Sequence, residues 1–333
     1  MKNNLVIQSF GRENEYRRAV LTVLSFYAYN TLPVADTSVL LFTDRPDWFK
    51  DYFEGLPVAY VMLTPEKIKA MRGEIDFLHR MKIALIDEAF QLAEGNILYA
   101  DSDTFFTADP TPLALQLTPG KSFMHLWEYA FEDIRDMPLP AGETCQAFYR
   151  LIRSRSFHGA AQQPISVTPE MSSWNAGVMF FHPEQARIIP DVYTLTDQFY
   201  PDTQNHASEQ YAFSIMLQQQ TELQACDQVI YHYWYRIKKQ IVDELLPGVF
   251  TSAWAGKPLK AKLVEIRSMT AMLPRYFDKH LLTYKDNAIQ AFSEKRFGKG
   301  YKWTIRTVLR KPFLHKAFLK DVMFYTKSWL KKD

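Results

Sequence analysis

Asn96-Ile97-Leu98-Tyr99-Ala100-Asp101-Ser102-Asp103 is an apolar run of strand length that ends in two carboxylates one residue apart. Similar runs lie on either side of it: Leu5 to Phe10, Ser38 to Thr43, Val58 to Leu63, Ser122 to Leu126, Ala176 to Phe181 and Gln228 to His232. Several are separated by helix-length stretches whose apolar residues recur at three and four, as in Val20, Leu21, Leu24, Tyr27 and Ala28, or Met81, Leu85, Ala89, Leu92 and Ala93. Strands alternating with amphipathic helices predict an α/β fold: a Rossmann-like, mostly parallel central sheet flanked by helices.

The rest of the chain is consistent with that core. It has 333 residues, 47% hydrophobic and 23% charged, which excludes disordered, collagen-like and low-complexity classes. The protein is expected to begin near Met1, because no signal-peptide core follows, and no run of 18 apolar residues occurs. Cys145 and Cys226 are far apart and outside any CxxC, which supports neither a disulfide framework nor a thiolate zinc site and makes a reducing cytoplasm the default. The formal net charge of +2 conceals an asymmetry: Lys295 to Asp333 holds twelve Lys and Arg against two acidic residues, leaving residues 1–294 at −8. Residues 1–250 are read as the sheet domain, with 128–170 as an insertion of the kind that carries specificity or a lid. Residues 251–333 are read as a mainly helical extension, basic from 295.

Two hard oxygen donors at a strand's carboxyl end suit Mg²⁺ or Mn²⁺, and open α/β sheets bind ligands at that edge. Asp-x-Asp alone is weak, since chance gives ~1.2 occurrences here and an Asx turn is the commoner explanation. Three further segments supply context. Ser173-Trp174-Asn175-Ala176-Gly177 precedes an apolar strand, so Asn175 can bond a sugar hydroxyl while Gly177 permits close backbone approach; a simple turn is the alternative. Ser208-Glu209-Gln210 precedes the apolar face of Tyr211, Ile215 and Met216, which makes Ser208 a candidate helix cap with Glu209 and Gln210 in the first turn. Val229-Ile230-Tyr231-His232 ends a strand in a histidine able to complete a metal shell, and Lys238 six residues on can neutralise a phosphate. A strand-end histidine is more often structural.

In this order and at these spacings the segments resemble the metal-dependent nucleotide-sugar glycosyltransferases of GT-A fold, and locally their retaining family eight, which includes lipopolysaccharide galactosyltransferases and glycogenin. The resemblance implies Asp101, Asp103 and His232 as metal ligands, Asn175, Glu209 and Gln210 as catalytic sugar-pocket residues, and Lys238 as a phosphate ligand. It further implies a nucleotide contact at Gln8, Ser9 and Phe10, a donor contact at Ser102, and a basic residue facing the donor phosphates at either Arg80 or Lys82. Tyr235 stands where the family's His-x-x-Gly-x-x-Lys segment has glycine, and Glu209 stands in place of its usual aspartate.

The expected chemistry is transfer of a sugar from a nucleoside diphosphate sugar, UDP-sugar foremost, to a glycan, lipid-linked or protein acceptor, in the assembly of bacterial surface polysaccharide or lipopolysaccharide. Trp127, Tyr129, Phe131, Arg150, Arg153 and Arg155 in or beside the insertion are the candidates for acceptor selectivity. The tail reads as two basic helices split at Pro312. The stripe Leu314, Phe318, Val322, Tyr325 and Trp329, with Lys316, Lys320, Lys327, Lys331 and Lys332 around it, suits an anionic surface on the inner face of the cytoplasmic membrane; packing on the catalytic domain is the alternative. No nucleic-acid motif accompanies these charges, so nucleic acid is not expected as a partner. Two competing readings are a haloacid-dehalogenase-like phosphohydrolase, disfavoured by Phe105 where that family carries Thr or Val, and a non-catalytic GT-A-like module that binds a glycan or partner.

Overall fold

The computed structural model describes residues 1–138, 142–311 and 316–330, with side chains as far as Lys327. Pro312, Leu314, Lys331, Lys332 and the Trp329 side chain, all invoked above, lie outside what is described. The strands are β1 Asn3–Ser9, β2 Thr37–Thr43, β3 Val58–Met62, β4 Asn96–Ala100, β5 Thr104–Phe106, β6 Lys121–Met124, β7 Trp127–Ala130, β8 Phe157–His158, β9 Pro164–Ile165, β10 Ser172–Trp174, β11 Val178–Phe181, β12 Glu222–Ala225 and β13 Ile230–His232. The α-helices are α1 Glu13–Tyr29, α2 Pro46–Phe49, α3 Pro65–Arg72, α4 Arg80–Leu92, α5 Thr111–Ala114, α6 Glu143–Ser154, α7 Ile189–Thr203, α8 Ser208–Gln220, α9 Arg236–Val249, α10 Ser252–Ala255, α11 Leu259–Lys279, α12 Leu281–Ser293, α13 Phe297–Arg310 and α14 Lys316–Leu330.

The expected α/β architecture is present. A central seven-stranded sheet has the order β12-β6-β11-β4-β1-β2-β3. Pairings β1·β2, β2·β3, β1·β4 and β6·β12 are parallel, and β11 runs antiparallel between β4 and β6. All five residues of β4 are buried, which is why that strand reads as a continuous apolar run instead of an alternating one. On α4, Met81, Leu85 and Ala89 are buried as their spacing predicts, whereas Leu92 in the last turn is 54% exposed. Strand order reverses between β1 and β4, so Gln8 to Phe10 and Asp101 to Asp103 flank the switch point where such sheets bind ligands.

One expectation about strands needs correction. The run ending in His232 does not join the main sheet; β13 pairs antiparallel with β5, His232 opposite Thr104 and Ile230 opposite Phe106. The seventh strand, at the edge, is β12, whose Glu-Leu-Gln-Ala sequence is too polar to announce a strand. The β5·β13 ribbon matters because β5 begins directly after Asp103, so pairing alone returns His232 to the Asp-x-Asp turn.

The 128–170 segment contains the amphipathic helix α6, which buries Phe148 and Ile152. Phe148 packs against Phe131, Tyr211 and Phe199 at ring separations of 5.1, 4.3 and 5.1 Å, aromatic contacts worth about 1 kcal/mol each beyond area burial. Phe131, expected at the acceptor, is fully buried in this cluster. Ser208 is not the cap of α8: that helix follows Ala207, whose N–H donates to Asn205 Oδ1, and Ser208 Oγ donates to the Asn205 carbonyl.

The chain divides into two compact units, Met1–His232 with Ser252–Arg267, and Tyr233–Thr251 with Ser268–Asp333. The second unit takes up residues 233–251 ahead of the expected boundary near 250, and the first takes Ser252–Arg267 beyond it. Within the second unit, Phe318 and Val322 of α14 are buried with Ala288 and Phe292 of α12. Phe318 and Val322 of the stripe assigned to a membrane therefore face inward, because α12 offers them a closer apolar partner; among the described side chains of α14, Leu319, Met323 and Phe324 are the large apolar ones left exposed.

Gly95 sets the register that presents Asp101. It turns the chain from α4 into β4 at φ +105, where a Cβ would lie 2.3 Å from the Lys2 carbonyl oxygen, and the following Asn96 N–H donates to that same oxygen at 2.8 Å. Gly95→Ala is expected to cost at least about 2 kcal/mol of unfolding free energy in urea titrations, through positive-φ strain and backbone contact together.

Candidate functional site

β4 ends at Ala100, and the Asp101 N–H continues the ladder by donating to the Gly177 carbonyl at 2.8 Å. The turn that follows is fixed from several sides. Thr104 Oγ1 donates to the Asp101 carbonyl, Thr22 Oγ1 of α1 donates to the carbonyls of Ser102 and Thr104, and Ser102 Oγ donates to Glu15. Asp101, Asp103 and His232 converge here, their ligand atoms all within 4.8 Å of one another, with Asp103 and His232 buried.

His232 holds its orientation through a chain of partners. Its Nδ1 lies 2.8 Å from Asn175 Oδ1, which also accepts from the Gly177 N–H at 3.0 Å. An oxygen already accepting from a backbone N–H takes a second proton from Nδ1, so the ring carries hydrogen there and Nε2 is the nitrogen turned toward the carboxyl groups. Nε2 is 3.3 Å from Asp103 Oδ1. A ring nitrogen this close to one carboxyl group, with Asp101 alongside, is a donor set a divalent cation satisfies, and the imidazole N–H held by a neighbour is the usual support of a metal-binding histidine. The residues present fit the ion implied by the sequence. His125 lies edge-on to His232 at a ring separation of 5.4 Å; burial first, and then His232, push its pKa down to about 3, so it is neutral.

Gly177 makes the arrangement sterically feasible. A Cβ there would sit 2.0 Å from His232 Cε1, so the close backbone approach foreseen for this glycine is to the imidazole itself.

Asp101 is gripped on both sides. Tyr99 donates its phenol to Oδ1, and burial, reinforced by Asp101, raises the Tyr99 pKa well above its ordinary value, so it remains a donor. Lys82 Nζ lies 3.5 Å from Oδ2, 3.2 Å from Glu209 Oε1 and 3.1 Å from the Ala176 carbonyl. Burial works to lower the Lys82 pKa, but Asp101 and Glu209 outweigh it and the net shift is upward, so the ammonium stays charged. Glu209 can be buried in the first turn of α8 because Lys82 compensates one of its oxygens; the other, Oε2, has no hydrogen-bond partner among the described residues.

Gln210 lies beside Asn175. Its Oε1 accepts from the Ala176 N–H at 3.1 Å, and its Nε2 donates to Ser173 Oγ and Glu128 Oε2, both at 2.8 Å. Gln8 Nε2 reaches the Tyr99 hydroxyl at 3.4 Å, while Gln8 Oε1 and the buried Ser9 Oγ have no partner among the described residues. Phe10 is half-buried against the core.

Of the alternatives Arg80 and Lys82, the structure brings Lys82 to the acidic cluster. Arg80 is turned away, paired through two bonds with Asp197 of α7 at 2.7 and 3.1 Å and stacked on Tyr193 at 4.5 Å. Lys238 belongs to the first turn of α9 in the second unit, with Nζ 5.5 Å from the Tyr235 ring. Tyr235 replaces the family's glycine without backbone strain, since its φ is −64. Sequence reasoning missed Tyr99 and Glu128. Tyr99 lies inside the strand, where an aromatic reads as core; Glu128 lies just past the expected Ser122–Leu126 strand, as Asp101 lies past β4, and that shared position was its only signal.

The steric relation of Gly177 and His232 gives a test. Gly177→Ala is expected to destabilise by about 1 to 3 kcal/mol, as overpacking does, while His232→Ala added to it relieves the clash. In a double-mutant cycle by urea unfolding the pair should couple, His232→Ala costing less in the Gly177→Ala background than in the wild type.

No protein-family model matches the chain, and no curated protein matches it by sequence. Solved structures do. The structure of galactosyltransferase LgtC with donor and acceptor sugar analogs aligns with a TM-score of 0.50 at 11% identity, covering 77% of this chain and 100% of LgtC. The apo form of mouse xyloside xylosyltransferase 1 gives 0.44 at 11% identity over 68% of this chain and 85% of its own. The apo form of glycosyltransferase GlyE from Streptococcus pneumoniae TIGR4 gives 0.46 at 13% identity over 81% and 64%. At such identity the likeness to LgtC is one of fold, and with the sheet order and switch point above it gives the conclusion that this chain has the GT-A fold of glycosyltransferases.

Proposed function

We propose that the protein is a metal-dependent, retaining glycosyltransferase that takes a hexosyl group from a nucleoside diphosphate sugar, UDP-sugar foremost. The observation that carries this reading is the convergence of Asp101, Asp103 and His232 at the carboxyl end of β4 in a GT-A fold. Mn²⁺ or Mg²⁺ bound there supplies Lewis-acid stabilisation of the departing diphosphate. Asp101 and Asp103 provide hard oxygen donors, and His232 is held by Asn175 with Nε2 forward. The unpartnered Gln8 Oε1 and Ser9 Oγ at the end of β1, with Phe10 and Ser102, suit the nucleoside; the phosphate role of Lys238 rests on the sequence resemblance alone.

In the transfer, the bond from the anomeric carbon to the diphosphate oxygen breaks with its electron pair on the phosphate, and the acceptor hydroxyl oxygen bonds to that carbon. In the retaining course the hydroxyl proton passes to the leaving phosphate oxygen. Asn175 and Gln210 orient the sugar; Glu209, next to Gln210 in the first turn of α8, keeps a buried Oε2 with no hydrogen-bond partner among the described residues. The Lys82 ammonium sits between the two side chains, 3.5 Å from Asp101 Oδ2 and 3.2 Å from Glu209 Oε1. The acceptor is a glycan, glycolipid or protein of surface polysaccharide assembly, met through the 128–170 segment, where Trp127 is 51% exposed.

No helix among the described residues is long and apolar enough to cross a membrane. Attachment to the inner face of the cytoplasmic membrane would use the exposed Leu319, Met323 and Phe324 of α14, with Lys316, Lys320 and Lys327 around them.

Two measurements test this reading. Calorimetric titration of uridine, guanosine, cytidine and thymidine diphosphates and their sugars is expected to give Mn²⁺-dependent binding of one base, weakened more than about 100-fold by Asp103→Ala. A folded protein that binds none of them would end the transferase reading. On vesicles containing anionic lipid at low salt, Met323→Asp with Phe324→Asp should release the protein; equal sedimentation of variant and wild type would remove the membrane proposal.

A further inference from the structure

The side chain that ties the two halves of the site together is one that neither motif contains. Glu128, half-buried just before Tyr129 on β7, accepts from three donors: Asn175 Nδ2 at 3.0 Å on Oε1, and Gln210 Nε2 at 2.8 Å and Ser173 Oγ at 3.2 Å on Oε2. Both amide NH₂ groups of the candidate sugar pocket therefore end on one carboxylate. An ionised carboxylate accepts only, so neither amide can turn over without bringing its oxygen against an anion.

We infer that Glu128 is a positioning residue that fixes the amide polarity of Asn175 and Gln210 and, through Asn175, selects the His232 tautomer that offers Nε2 to the metal. With Nδ2 held by Glu128, Asn175 Oδ1 must face Gly177 N–H and His232 Nδ1; with Oδ1 there, hydrogen sits on Nδ1 and Nε2 is the nitrogen turned toward Asp103. The relay runs carboxylate, amide, imidazole, cation. Gln210 is locked in the same way, Nε2 on Glu128 and Oε1 on Ala176 N–H. The inference rests on the metal reading of Asp101, Asp103 and His232, and it concerns how that site is held in register with the sugar pocket.

Polarity and packing make opposite predictions for two substitutions. Glu128→Gln keeps the volume but places an NH₂ against one of the two amides, a donor facing a donor. Glu128→Asp shortens the chain but keeps an acceptor-only carboxylate. If Glu128 acts by polarity, Gln is the damaging change and Asp the tolerated one; a space-filling role reverses the order. The experiment is ¹⁵N NMR of the imidazoles in metal-free protein together with Mn²⁺ titration followed by electron paramagnetic resonance, with near-ultraviolet circular dichroism to verify the fold. In wild type and Glu128→Asp, His232 should show hydrogen on Nδ1. In Glu128→Gln the His232 nitrogen resonances should move toward a mixture of tautomers, with Mn²⁺ affinity lower by about tenfold. Unchanged tautomer and affinity in folded Glu128→Gln would overturn the inference and leave the metal reading intact, whereas failure of the wild type to bind Mn²⁺ would overturn both.

Discussion

The seating of the His232 imidazole against the backbone of Gly177 is the contact on which the candidate site depends. It requires a residue without Cβ, since any other would come within 2.0 Å of the ring, and it requires β13 to return antiparallel along β5 so that His232 falls opposite Thr104. Three chain segments that are distant in sequence meet there: the Asp-x-Asp turn, the Asn175–Gly177 entry to β11, and the end of β13. The Asp101 N–H bond to the Gly177 carbonyl fixes the first two, and the Asn175 bond to His232 fixes the third.

Around that contact the electrostatics are arranged to hold several carboxylates in a small, partly dry volume. Asp101, Asp103, Glu209 and Glu128 bring like charges together, which costs free energy unless each is compensated. Compensation comes in three forms: the buried ammonium of Lys82 between Asp101 and Glu209, hydrogen bonds from Tyr99, Asn175, Gln210 and Ser173, and the donor set suited to a divalent cation. Arg80 could not replace Lys82 here, because its planar guanidinium is already matched in two bonds to Asp197 and stacked on Tyr193. These interactions leave Oε2 of Glu209 buried with no hydrogen-bond partner among the described residues.

The basic tail shows the same competition between partners. A stripe of Phe318 and Val322 flanked by lysines can lie on lipid or on a neighbouring helix, and within the second unit α12 supplies Ala288 and Phe292 at packing distance. What α14 leaves exposed is a different set, Leu319, Met323 and Phe324, one position round the helix from the buried one. Periodicity located an amphipathic helix; it could not say which of two adjacent apolar rows was already covered.

The sequence by itself determined the α/β class and six of the seven strands of the central sheet, because apolar runs of strand length are local features; it named Asp101, Asp103, His232, Asn175 and Gln210 as candidate site residues through the family that their order and spacing resemble. Only the tertiary structure decided that β13 leaves the main sheet for β5, that Lys82 and not Arg80 serves the acidic cluster, that Phe131 is core, and that Glu128 joins Asn175 to Gln210. Each of these is a choice among partners far away in the chain. The period of a strand or helix fixes which face a side chain occupies, but the charge, donor or ring that it meets there is supplied by another segment, and only folding brings the two together.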